Sequence, residues 1–131
     1  ITNAFLIETN LENTRLNQTN LENSNLNQAN LRAAYASGAN FKDAYLIKAQ
    51  LENAFLIKSD FKNAFLMEAN LKNCYLTGAD FENASLYKAD LRGAKGLTVE
   101  QLTKAKTLYL AQFDEEILNQ IKTNIPELVG K

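Results

Sequence analysis

The chain repeats itself every five residues, and few folds can accept that period. Written in fives, its centre reads ANFKD, AYLIK, AQLEN, AFLIK, SDFKN, AFLME, ANLKN, CYLTG, ADFEN, ASLYK, ADLRG. The third position is a large apolar residue: Leu6, Leu11, Leu16, Leu21, Leu26 and Leu31, then Phe41, Leu46, Leu51, Leu56, Phe61, Leu66, Leu71, Leu76, Phe81, Leu86 and Leu91. Two residues earlier stands a small one, such as Ala4, Thr9, Thr14, Thr19, Ser24 and Ala29, continuing to Ala89 and Ala94. The run extends from Ile1 to about Lys95 without an insertion.

A period of five matches neither the 3.6 of a helix nor the plain 2 of a strand. It suits a three-residue strand followed by a two-residue corner. In such a strand the small residue and the centre point inward and the residue between them points out. Two longer periods say how many corners close a coil. Phe41, Phe61 and Phe81 recur every twenty residues, and aromatics at the outward position recur every ten: Tyr35, Tyr45, Phe55, Phe65, Tyr75. Asn or Asp at the second corner position also recurs every ten. Four sides per coil satisfies both. No unit could fold alone, because its apolar side needs neighbours above and below. Ala36 stands where a centre leucine belongs, which predicts a narrow waist or small void.

Segments such as ANL at 29–31 and 69–71, ADF at 79–81 and ADL at 89–91 resemble the pentapeptide repeat family, whose consensus is A(D/N)LXX. The resemblance implies that family's fold, a right-handed quadrilateral β-helix, so the expected class is an all-β solenoid with a short α-helical cap. The repeat is assigned to residues 1–95 and the cap to 96–131, both in one domain. Thr98-Val99-Glu100-Gln101 is a capping-box start, predicting a helix over about 99–105. Asp114 is placed as a second N-cap, followed by an apolar face of Ile117, Leu118 and Ile121, with Pro126 ending or bending the segment. The stretch GLTVEQLTKAKTLY resembles the tails of small cyanobacterial members, which carry similar helical caps.

The residue inventory narrows the chemistry. With no histidine in 131 residues, a Ser-His-Asp triad, a Cys-His pair and an imidazole metal site are all unavailable. Cys74 sits at a small inward position and reads as an inert buried thiol. No glycine loop cradles a phosphate. The expectation is therefore no enzyme, no cofactor and no metal. Fourteen basic and fifteen acidic residues leave a net charge of −1, which argues against a nucleic-acid surface. No run approaches the length of a membrane span, so no membrane association is expected.

The outward positions then carry the functional reading. Corner residues twenty apart alternate in sign, as in Glu12, Arg32, Glu52, Lys72, Arg92, which predicts pairing between coils. One face carries Phe5, Tyr45 and Phe65 with Ile7, Ile47, Met67 and Tyr87 at the following corner, a candidate stripe for contact with another protein. The opposite face carries Tyr35, Phe55, Tyr75 and Ile57, less continuously. The expected function is a structural or protein-interaction module with an unidentified protein partner, as a monomer or an end-to-end or face-to-face dimer. Some members of the resembled family bind DNA gyrase as mimics of a duplex. That alternative needs a long net-acidic column, which the interleaved charges here do not form. The compartment is left open between cytoplasm and, with a signal peptide upstream of Ile1, a thylakoid lumen or periplasm.

Overall fold

The computed structural model describes residues 2–130; Ile1, which opens the repeat, lies outside them. Within the repeat each unit completes the same circuit of backbone bonds. Around Leu26, Ser24 N donates to Leu21 O at 3.1 Å and Ala29 N to Leu26 O at 3.0 Å, closing the turns on either side. Asn25 N donates to Ala4 O in the preceding coil at 2.8 Å, and Leu26 N to Tyr45 O in the following coil at 2.7 Å. Gln28 N reaches Ile47 O at 2.9 Å. The donor left over, Asn27 N, is taken by the side chain of Asn25 at 3.1 Å. Every main-chain donor of the unit is thereby satisfied.

The second corner residue of each unit is left-handed, from Asn3 at φ 58° to Lys88 at φ 58°. Positive φ at the third residue of a turn is the type II signature. Asn and Asp tolerate it better than other side chains, which explains their frequency at this position.

These turns correct the expected fold class. Among the described residues there is no β-strand and no sheet, so the all-β solenoid built of three-residue strands, the right-handed quadrilateral β-helix, is not what the chain forms. Pairing is confined to isolated parallel bridges, one residue each: Phe5 with Asn25, Asn10 with Asn30, Arg15 with Tyr35, Asn20 with Asn40, and onward. The physical reason lies in the turn. A left-handed residue every fifth position, with a bond closing each corner, leaves only one residue free to exchange bonds on both sides. A ladder needs consecutive extended residues, and none are available.

The backbone nonetheless passes over itself every twenty residues, with four bridge positions per pass. Centres and small residues from Leu21 to Leu91 are buried in one continuous core, while Leu6, Leu11, Leu16 and Ala94 are only partly covered. Phe41, Phe61 and Phe81 stack one above another, with ring centroids 5.0 and 5.3 Å apart. Ala36 is itself buried, and the buried Ser59 hydroxyl donates to its carbonyl at 2.8 Å. Thr14 Oγ1 donates to Leu11 O at 2.6 Å, and Ser24 Oγ accepts from Ala4 N at 3.1 Å.

Helix α1 spans Val99–Thr103, and both halves of its capping box form between Thr98 and Gln101. Residues 105–113 then return to repeat geometry: Ala111 N closes a turn onto Leu108 O at 2.9 Å, Leu110 is left-handed at φ 62°, and Thr107 and Gln112 bridge to Ser85 and Asp90. Helix α2 spans Glu115–Asn124, followed by a 3-10 turn over Pro126–Leu128. Ile121 and Ile125 are buried against the last coil, with Ile117, Leu118, Leu128 and Val129 packed beside them. Asp114 occupies the N-cap position but makes no side-chain cap; both its carboxylate oxygens accept from Gly93 N at 3.0 Å. Among the described residues no helix is long and apolar enough to cross a membrane.

Candidate protein-contact faces

The outward residue of each unit falls into one of four columns, and the columns differ by pairs. Two opposite columns are polar: Asn10, Asn30, Gln50, Asn70, Asp90, and Asn20, Asn40, Asp60, Asp80. Their Asn and Asp side chains accept from the main-chain N–H two residues on. Examples are Asn10 to Glu12 N at 3.0 Å, Asn40 to Lys42 N at 2.9 Å and Asp80 to Glu82 N at 2.9 Å. This local turn satisfies the one donor that neither neighbouring coil reaches. The preference for Asn or Asp before the centre residue is thus structural on these faces.

The other two columns carry the aromatics. One is Arg15, Tyr35, Phe55, Tyr75, Lys95 and the other Phe5, Asn25, Tyr45, Phe65, Ser85. Tyr35, Phe55 and Tyr75 stack at 5.0 and 4.7 Å, nearly parallel, and Lys95 Nζ lies 4.8 Å from the Tyr75 ring centroid. Such stacks contribute beyond their buried area. In the second column Tyr45 and Phe65 stack at 4.8 Å, and Tyr87 lies 5.9 Å from Tyr109 at the adjoining corner.

The seven residues of the sequence-derived stripe therefore share a face but not one unbroken surface. Phe5 is 87% exposed, Ile7 49% and Tyr45 42%, whereas Ile47, Phe65, Met67 and Tyr87 are half-buried. Asn25 and Asn27 separate Phe5 and Ile7 from the rest, with Asn27 Oδ1 accepting from Ile47 N at 2.8 Å. The opposite face holds the longer ladder, and Tyr35 and Ile57 are exposed on it. Sequence spacing alone does not show that continuity, because it places the rings in a column without saying that each lies flat on the next.

Charge pairing between coils is sparser than the alternating columns suggest. In the column from Glu12 to Arg92, Arg32 pairs with Glu52 at 3.2 Å. Arg92 turns back to Asp90 at 2.7 Å. Burial alone would raise the Asp90 carboxyl, but hydrogen bonds from the Arg92 guanidinium and main chain, aided by its charge and that of Lys72, hold it below its usual range. Lys62 reaches Asp60 and Asp80 at 3.8 and 3.5 Å, and those carboxylates, Asp60 foremost, keep its ammonium above its ordinary value. These partly exposed pairs contribute little to stability. Burial pushes the Cys74 thiol up to about 12, and its Sγ lies 2.8 Å from Leu51 O. Among the described residues no three His, Cys, Asp or Glu side chains are placed to hold a metal ion.

A family model described as pentapeptide repeats matches residues 1–28, 24–63 and 64–95. No curated protein matches the chain. Among solved structures, a pentapeptide repeat protein (Rfr23) from the cyanobacterium Cyanothece 51142 is 25% identical, with TM-score 0.71 over 87% of this chain and 86% of that one. A pentapeptide repeat protein from the Arabidopsis thaliana thylakoid lumen is 26% identical, with TM-score 0.65 over 87% of this chain and 71% of that one. The resemblance read from the sequence implied β-strands, and that part is corrected by their absence among the described residues. The repeats themselves, matched across most of the chain's length, show that the chain belongs to the pentapeptide repeat family.

Proposed function

We propose that this chain is a non-enzymatic interaction module that docks another protein on the face bearing Tyr45, Ile47, Phe65, Met67 and Tyr87. The observation that carries the reading is a group of large apolar side chains at a repetitive surface: Tyr45 is 42% exposed beside the half-buried Ile47, Phe65, Met67 and Tyr87, and Phe5 and Ile7, beyond Asn25 and Asn27, are 87% and 49% exposed. Soluble proteins seldom leave aromatic and branched residues so placed without a contact to make. The interior is filled by leucine and phenylalanine. That filling leaves a reacting group the open outer surface, where water holds pKa values near their ordinary range.

The thylakoid-lumen origin of the Arabidopsis relative supports a lumenal setting for the module. Fractionation of the source cells, followed by detection in the lumen or in the cytoplasm, tests that placement.

Binding to a candidate partner by Ile47→Glu and Ile57→Glu tests the face. Loss of binding in the first variant, retention in the second and unchanged melting of both support the assignment. Equal binding by both, or loss of binding only together with loss of fold, contradicts it. Strong inhibition of gyrase supercoiling by the purified chain would favour the duplex mimic instead.

A further inference from the structure

The two aromatic columns share a Tyr-Phe pair and differ at the rung that follows it. One runs Tyr35, Phe55, Tyr75 and is closed by the Lys95 ammonium, 4.8 Å from the Tyr75 ring. The other runs Tyr45, Phe65, and then Ser85 stands where a third ring would continue the stack. Tyr45 covers one side of the Phe65 ring at 4.8 Å. Among the described residues, no ring or cation stacks on its other side.

The Ser85 rung opens into a groove of about 600 Å³ on that side of Phe65. Its size falls within the range of sites that take a side chain or small ligand. Asp43, Asn63 and Asn83 line it from the corner before each outward residue, Met67 and Tyr87 from the corner after, and Tyr109 and Lys106 also border it. Asn83 Nδ2 donates to Asn63 Oδ1 at 2.8 Å, a bond that uses the nitrogen of this exposed side chain and not its acceptor oxygen. An apolar side, a polar side of one carboxylate and two amides, and a flat ring at the head describe a slot for an amphipathic ring.

We infer that this groove binds a tyrosine side chain of a partner polypeptide, which enters as the third rung above Phe65. The sister column supplies the pattern, Tyr-Phe-Tyr, and the incoming ring restores it. The ring stacks on Phe65 between the apolar wall and the amides, and the main chain flanking it offers N–H donors to Asn83. A leucine fills the volume but gains no stacking. The inference rests on the interaction-module reading and names the partner chemistry of the same face.

Two probes test it: p-cresol and acetyl-Gly-Tyr-Gly-amide, each titrated into the full chain and followed by amide NMR shifts. Saturable shifts centred on Phe65, Ser85 and Thr107 are expected, with the peptide binding about fivefold more tightly than the ring alone because its amides add a hydrogen bond. Acetyl-Gly-Leu-Gly-amide should bind about threefold to tenfold more weakly than the tyrosine peptide. Ser85→Tyr supplies the rung from the chain itself; it should abolish probe binding and raise Tm. Phe65→Leu removes the stacking platform and should weaken the peptide by about threefold to tenfold, which keeps the test decisive if Ser85→Tyr fails to fold. Non-saturable shifts, shifts shared by Tyr35 and Phe55, equal binding of the leucine peptide, or undiminished binding by Phe65→Leu would each overturn it. Probe binding that persists in Ile47→Glu, with partner binding unaffected by that variant, would leave the slot standing and defeat the broader docking face.

Discussion

The side-chain amide of Gln101 donates to the carbonyl oxygen of Leu76 at 2.9 Å and, from the same nitrogen, to Ala79 O at 2.9 Å. Its oxygen accepts from Thr98 N at 2.8 Å. One side chain thus starts α1 and closes the last coil beneath it. Gln101→Glu keeps the acceptor, loses both donors and sets a negative charge against two carbonyl oxygens. It should lower stability by about 2–3 kcal/mol, read from the urea midpoint. Thr98→Ala, which removes only the cap, should cost about 1 kcal/mol. The reverse order would mean that the capping box, not the bond to the coil, holds the tail in place.

Gly96 is left-handed at φ 76°, and a Cβ there would stand 1.9 Å from Thr77 Oγ1 and 3.0 Å from Thr77 Cα. The main-chain atom cannot swing aside. Gly96→Ala should therefore cost about 2–3 kcal/mol in a thermal or urea melt, combining the left-handed penalty with the clash. Gly38, at φ 69°, meets only the flexible Gln18 Cγ at 3.2 Å. Gly38→Asn should change stability by less than about 1 kcal/mol, as Asn already serves at equivalent corners such as Asn53, at φ 64°. Equal losses in the two variants would show that backbone conformation alone decides, without the contact to Thr77.

The twenty-residue spacing of Phe41, Phe61 and Phe81 is legible in the sequence because only vertical stacking gives three identical rings one interval. The strands were not legible as absent. Spacing reports which side chains turn inward, whereas a strand depends on how many consecutive residues exchange backbone bonds, and the corner at every fifth residue limits that to one. The repeat geometry of residues 105–113 is hidden for another reason. Thr107 bridges to Ser85 at a spacing of twenty-two, because α1 and its flanks occupy a side with two extra residues. On the candidate contact face the stripe is legible by number, whereas Ser85 carries no signal in the repeat. Its meaning appears only when the rings on either column are seen to lie flat on one another.

Phe61 touches both of its neighbours in the inner ladder, with centroids 5.0 Å from Phe41 and 5.3 Å from Phe81. It is fully buried at mid-stack, where no loop can collapse into the space it leaves. Phe61→Ala should cost about 3–5 kcal/mol. Phe61→Leu, which keeps most of the volume and loses the two ring contacts, should cost about 1–2 kcal/mol. Phe5→Ala, at a side chain 87% exposed, should lie within about 0.5 kcal/mol of the parent. A Phe61→Ala loss no larger than that of Phe5→Ala would contradict continuous packing through the core.

Cys74 gives a pH-dependent test of the same core. Its buried thiol is raised from 9.0 to about 12 by loss of water around the charged form. Below pH 9 the thiol is protonated whether the chain is folded or unfolded, so its contribution to stability is complete. Between pH 9 and about 12 the unfolded thiol ionises while the folded one does not, and stability falls as pH rises. Comparison with Cys74→Ala isolates this slope from the titration of lysine and tyrosine. The stability of the parent relative to the variant should decline between pH 9 and 11 by as much as about 1 kcal/mol per pH unit. At pH 8 a thiol reagent should modify the native chain only as fast as the chain opens, orders of magnitude slower than in denaturing urea. Labelling at the unfolded rate, or parallel pH curves for parent and variant, would show that water reaches the sulfur and that the core is open at Leu51 and Cys74.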